Sequence, residues 1–179
     1  VSQHGALAFP LTVAEVVALG RMPWHGTPAT AQDSHAVARA MTAANVTHLA
    51  GHDHATLSGG ERQRVQLARA LAQIDGGLEA VALLLDEPTA SLDVRHSAEL
   101  LRLLRQLASR GTAILVVLHD LNEAMFVADT VAVLVDGRCI AAGAPTRVLC
   151  PPLLSEAYGV AFNVATGAIL PDFGSGGSP

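Results

Sequence analysis

The sequence predicts an α/β protein, a mostly parallel sheet preceded by a helical region. Three observations carry that reading. From about Val81 onward, short apolar runs alternate with helical stretches, the pattern of parallel strands joined by crossover helices. From Leu11 to about Gln73 the spacing and punctuation are helical. Half of the 179 residues are hydrophobic and 15% are charged, which supplies a core and excludes a disordered chain.

Each element follows from local chemistry. Thr12 and Glu15 have the spacing of a capping box, Leu11 can staple it, and Gly20 can close the short helix. Arg21–Thr30, with Pro23, Gly26 and Pro28, reads as a loop, after which Asp33 can cap a helix running to Ala44. Val81–Leu85 is wholly apolar, as in a strand buried on both faces. Glu99–Leu107 puts Leu100, Leu103, Leu104 and Leu107 on one helical face, and Gly111 ends that helix. Ala113–Leu118 reads as a second buried strand, Leu121–Ala128 as a helix and Val131–Val135 as a third strand. Asp136-Gly137 then turns the chain into Arg138–Ala142 as a hairpin. From about Asn163 to Pro179 a flexible tail is expected.

Composition narrows the function. The net charge is −5 and no basic stripe appears, which argues against nucleic acid. All eleven cationic residues are arginine, so chemistry in this stretch cannot use a lysine. Cys139 and Cys150 lack metal-ligand spacing and read as buried or incidental thiols of a reducing compartment. No apolar run approaches the roughly 20 residues that span a bilayer. The opening Val1-Ser2-Gln3-His4 has neither an initiator Met nor a signal pattern, and reads as a chain cut from something longer.

Three constellations carry chemistry. In Leu85-Asp86-Glu87-Pro88 an apolar strand delivers adjacent carboxylates at its C-terminal end, where ligands of open α/β sheets bind. Asp86 can hold magnesium through water and Glu87 can polarise an attacking water, though a solvated acidic turn fits the tetrapeptide equally. In Leu57-Ser58-Gly59-Gly60-Glu61 the capping-box spacing starts a helix at Ser58. Its two glycines leave backbone N–H groups open to an anion. An ordinary capped helix remains the alternative, although glycine is costly there. His119 directly follows the second strand, and its imidazole can orient water or a phosphate if both strands run parallel. The other histidines read as surface residues, and His52-Asp53-His54 lacks a fourth metal ligand.

Taken in order, LSGGERQR at residues 57–64, LLLDEP at 83–88, Ser91-Leu92-Asp93 and His119 resemble the nucleotide-binding subunit of ABC transporters. The likeness runs from Gln3 to about Tyr158. It implies a P-loop NTPase-type α/β fold, with a helical subdomain at about 5–73 and a catalytic core at about 78–162. Residues 1–162 would form a partial ABC ATPase domain. By that resemblance, Gln3 links the magnesium site to the transmembrane partner, and Asp86 is the magnesium carboxylate. Glu87 is the catalytic base and His119 the switch histidine. Ser58, Gly59 and Gly60 cap ATP held by the opposite subunit, and Asp93 crosses the dimer interface.

The resemblance also implies ATP and Mg2+ as cofactors. The implied partners are a second ATPase subunit, permease subunits and, indirectly, a periplasmic binding protein. The implied location is the cytoplasmic face of a bacterial inner membrane. The family's phosphate loop, G-x-x-x-x-G-K-[ST], and its adenine-stacking aromatic belong upstream of the position of Gln3. Neither occurs in these 179 residues, so the N-terminal strands and phosphate loop are expected to be missing and the stretch alone inactive. Ser2–His4, Ala8–Val13 and Val17–Arg21 are similar to the branch importing siderophore-iron, haem and cobalamin, and Ala6–Pro23 is most similar to haemin importers. Two other readings are a soluble ABC ATPase of DNA repair or translation and a non-enzymatic remnant. The short helical segment, without a coiled-coil insertion, argues against the former.

Overall fold

The structure, a computed structural model, describes residues 10–76 and 82–172. The chain divides into two compact units, Val1–Val117 and Leu118–Pro179. The division falls inside the stretch that the sequence reads as one α/β core.

The first unit opens with helix α1 (Val13–Ala18), started by the expected capping box between Thr12 and Glu15. Its first N–H groups are paired as well: Val13 donates to His52 O and Ala14 to Ala50 O, both at 3.0 Å. Gly20 does not close this helix. The chain tightens into a 3-10 stretch over Leu19–Trp24 and forms another over Pro28–Gln32, where a loop was expected. Gly20 is there for close approach instead, since a Cβ on it would collide with Arg69 O. Helix α2 (Asp33–Ala43) follows, with Asp33 as its first residue and no side-chain cap at Gln32. Helix α3 (Gly59–Ile74) buries Val65, Leu67, Ala68, Leu71 and Ala72, a stripe at helical spacing that packs on α1 and α2.

Arg21 fixes the far end of α3. It is 3% exposed, and its guanidinium donates to Ala72 O at 2.8 Å, to Asp75 O, and to Asp33 Oδ1 at 2.7 Å. It also lies 5.1 Å over the Trp24 ring, whose Nε1 donates to Gln73 O at 2.8 Å. Two side chains of the 3-10 stretch thus satisfy the carbonyls that a helix end leaves unpaired.

Strand β1 (Ala82–Asp86) pairs in parallel with β2 (Ala113–Val117), in a register running from Ala82↔Ala113 to Asp86↔Val117. Helix α4 (Val94–Ser109) joins them, starting five residues earlier than the sequence suggests because Asp93 caps it. It buries Leu100, Leu101 and Leu104. Both strands were expected to be covered on both faces. Among the described residues one face stays open: Leu84 is 70% and its cross-strand neighbour Leu115 65% exposed, whereas Leu83 is 4% exposed.

The second unit begins with α5 (Leu121–Val127), capped by the Asp120 carboxylate. Strands β3 (Val131–Val135) and β4 (Arg138–Gly143) form the expected hairpin through Asp136-Gly137, both at positive φ. Helices α6 (Pro145–Val148) and α7 (Pro151–Tyr158) follow. In place of a tail from Asn163, β5 (Ala161–Ala165) and β6 (Ala168–Asp172) make a second antiparallel hairpin. The last seven residues lie outside the described ones. Leu149, Leu154, Phe162 and Ile169 form the core of this unit.

Asn122 clamps that hairpin to α5. Its Oδ1 accepts from Ile169 N at 2.8 Å and its Nδ2 donates to Ile169 O at 3.2 Å. Asn122→Ala is expected to destabilise this unit by about 2 kcal/mol, because it strands two part-buried backbone groups. Urea unfolding followed through the Tyr158–Phe162 ring pair measures it.

Candidate functional site

The described candidate residues of the first unit gather where β1 and the start of α3 meet. At the helix start the Ser58 backbone N–H donates to Glu61 Oε2 at 2.8 Å, and the Ser58 hydroxyl to the same atom at 2.6 Å. These bonds hold the Glu61 carboxyl below its ordinary range. Ser58 and Gly59 remain exposed. Gly60 is held differently, because a Cβ there would stand 2.8 Å from Ser91 O. Bare backbone at that position therefore serves packing between the helix start and the loop after β1, a role the sequence did not suggest. Gly60→Ala is expected to cost about 1–3 kcal/mol by forcing that loop away. Gly59→Ala, whose Cβ would meet Ser91 Cβ at an ordinary 3.8 Å, is expected to be neutral or slightly stabilising. Paired urea titrations check the contrast.

Asp86 ends β1 and is exposed. Glu87, half-buried, has φ +45, a left-handed conformation rare outside glycine and worth about 1–3 kcal/mol of strain. The following Pro88 disfavours the ordinary helical conformation at residue 87. Three bonds hold the Glu87 backbone: its N–H donates to Val117 O at 3.1 Å, and its carbonyl accepts from Ala90 N at 3.2 Å and from Gln63 Nε2 at 2.7 Å. The last of these had no signal in the sequence, where Gln63 looks like one more polar residue on an amphipathic helix.

Asp93 caps α4, accepting from the His96 backbone N–H at 2.9 Å with the His96 ring Nδ1 also at 2.9 Å. Those bonds lower its pKa, while its side chain stays 66% exposed. A cavity of about 470 Å³ opens beside Gln63, Asp86, Leu92 and His96. His119 belongs to the second unit, exposed and directly before the Asp120 cap. Gln3 lies outside the described residues.

The described residues do not form a closed metal cage. No group of three or more His, Cys, Asp or Glu is arranged for a metal among the described residues, His52-Asp53-His54 included. One exposed carboxylate at a strand exit fits an ion that keeps several waters and takes its other oxygens from phosphates. No helix among the described residues is long and apolar enough to cross a membrane.

Comparison with known proteins agrees with this geometry. The family profile described as ABC transporter matches residues 1–90. The Hemin import ATP-binding protein HmuV of Streptomyces coelicolor is 49% identical over 172 residues, which cover 94% of this chain and 60% of that protein. This chain thus spans three fifths of that relative's length. A metal-chelate type ABC transporter in an inward-facing conformation superposes with a TM-score of 0.76 at 25% identity, over 96% of this chain and 70% of that one. A dimeric bacterial ABC transporter cassette gives 0.66 at 30% identity, over 76% and 58%. With half the chain matched by the family's own pattern and its fold shared with solved cassettes, this chain belongs to the ABC transporter family.

Proposed function

We propose that these residues are part of an ATPase subunit that couples ATP hydrolysis to the import of haem (haemin) through a membrane permease. The observation that carries the reading is the joining of the LSGGE helix start to the Asp86-Glu87 strand exit through Gln63 and Gly60. The cargo rests on the 49% identity to a hemin import protein. In this reading Asp86 would hold magnesium, and Glu87 takes the proton of the attacking water. Magnesium, when bound, offsets charge on the phosphates. Ser58, Gly59 and Gly60 cap a nucleotide carried by a second copy, the two glycines with backbone N–H groups at the start of α3, and Asp93 reaches across the same interface. Gln3 and His119 would complete the water and magnesium contacts. The phosphate loop, absent from these 179 residues, would hold the nucleotide in the full-length protein.

A second copy arranged head to tail supports this division of labour, and the likeness to a dimeric cassette favours it. The subunit would then sit on the cytoplasmic face of the membrane against its permease, with a periplasmic binding protein delivering cargo. Ferric-siderophore or cobalamin import is the second reading, favoured by the likeness to a metal-chelate type transporter. Reconstitution of the full-length protein with its permease and binding protein in liposomes tests both. ATP-dependent accumulation of haemin is expected, and accumulation of ferric siderophore or cobalamin without haemin would replace the cargo.

A further inference from the structure

We propose that Gln63 is a positioning residue for hydrolysis, a latch that ties the helix start facing the partner's nucleotide to the backbone of the catalytic glutamate. The inference rests on the reading of Glu87 as base and adds the residue that holds it. Gln63 is the fifth residue of α3, in the turn that follows the Ser58–Glu61 capping box. Its side-chain amide reaches the Glu87 carbonyl at 2.7 Å, a part-buried bond between residues 24 apart in sequence. That carbonyl belongs to the peptide leaving a residue at φ +45, a conformation that persists only where its surroundings impose it. The Ala90 N–H shares the same acceptor at 3.2 Å, so Gln63 and the turn hold one oxygen between them.

Two consequences follow from that geometry. A shift of the α3 start is passed by the Gln63 side chain to the peptide that aims the Glu87 carboxylate. Engagement of the helix start by a partner's nucleotide therefore acts on the base of the same chain, through one neutral hydrogen bond. A carboxylate at position 63 would repel the carbonyl, an alkyl chain would release it, and an ammonium would still donate.

The test uses the full-length protein assembled with its permease. Gln63→Leu is expected to lower kcat about tenfold to a hundredfold, the scale of a small misplacement of a reacting group. KM for ATP should stay within about twofold, because binding is not touched. Gln63→Lys should restore most of kcat. Amide exchange without nucleotide should speed up at Ala90 in the Leu variant and remain near wild type in the Lys variant. Unchanged kcat in Gln63→Leu, equal loss in both variants, or unchanged exchange at Ala90 overturns the latch. If the Leu variant does not fold, the Lys variant decides: retained kcat with slow Ala90 exchange supports the proposal, and loss of either overturns it. Turnover surviving in Glu87→Gln would sink the base assignment and leave the exchange result standing. An inactive Glu87→Gln beside a fully active Gln63→Leu would sink the latch alone.

Discussion

Glu87→Gln is expected to abolish ATP turnover in the full-length protein while leaving ATP-bound dimers intact. The amide matches the carboxylate in size but cannot accept the water's proton, so a loss on the order of 10²–10⁴-fold follows. The backbone bonds of residue 87, the N–H on Val117 and the carbonyl shared by Ala90 and Gln63, are expected to survive the substitution. None of those bonds involves the side-chain carboxylate. Phosphate release measures the loss, and gel filtration with ATP reports the dimer. Hydrolysis at the normal rate would remove Glu87 from the role of base.

Arg21→Met is expected to destabilise the first unit strongly. The replacement keeps much of the stem's volume but leaves Ala72 O and Asp75 O without donors and Asp33 without its partner. Breaking a buried pair costs about 3–5 kcal/mol, and since the Asp33 side chain is 30% exposed, about 3 kcal/mol is expected. Asp33→Asn should cost only about 1 kcal/mol, because Arg21 keeps its carbonyl partners. Urea titration of the two variants separates them. A loss for Arg21→Met no larger than that for Asp33→Asn would mean that the α3 end is held by other contacts.

These expectations show which parts of the molecule were readable in advance. Local chemistry was: both capping boxes, at Thr12 and Ser58, form as their spacing requires, and β3 occupies Val131–Val135 with its Asp136-Gly137 turn. Such signals depend on neighbours within four residues, and a sequence displays those directly. What depends on distant partners was hidden. Arg21 sits in a stretch whose prolines and glycine suggest an open loop, yet it is buried because the end of α3 offers it carbonyls. The β5–β6 hairpin was masked by the glycine-rich composition that follows it, although Thr166-Gly167 marks its turn, both at positive φ. In the candidate site, residue types and order singled out Ser58, Asp86, Glu87 and Asp93 as candidates. No pattern identified Gln63, since one polar residue on a helix looks like another until its partner is placed.

The contact between Gly60 and Ser91 constrains how this sequence can drift. The atom that a Cβ on residue 60 would strike is the main-chain oxygen of residue 91, which every amino acid carries. Replacing Ser91 therefore cannot make room for a side chain at position 60, and no single compensating change at 91 exists. Tolerance should be one-sided: saturation mutagenesis should fill many columns at position 91 and leave glycine nearly alone at position 60. Position 59, where the nearest approach is to a side chain, should fall between them on steric grounds.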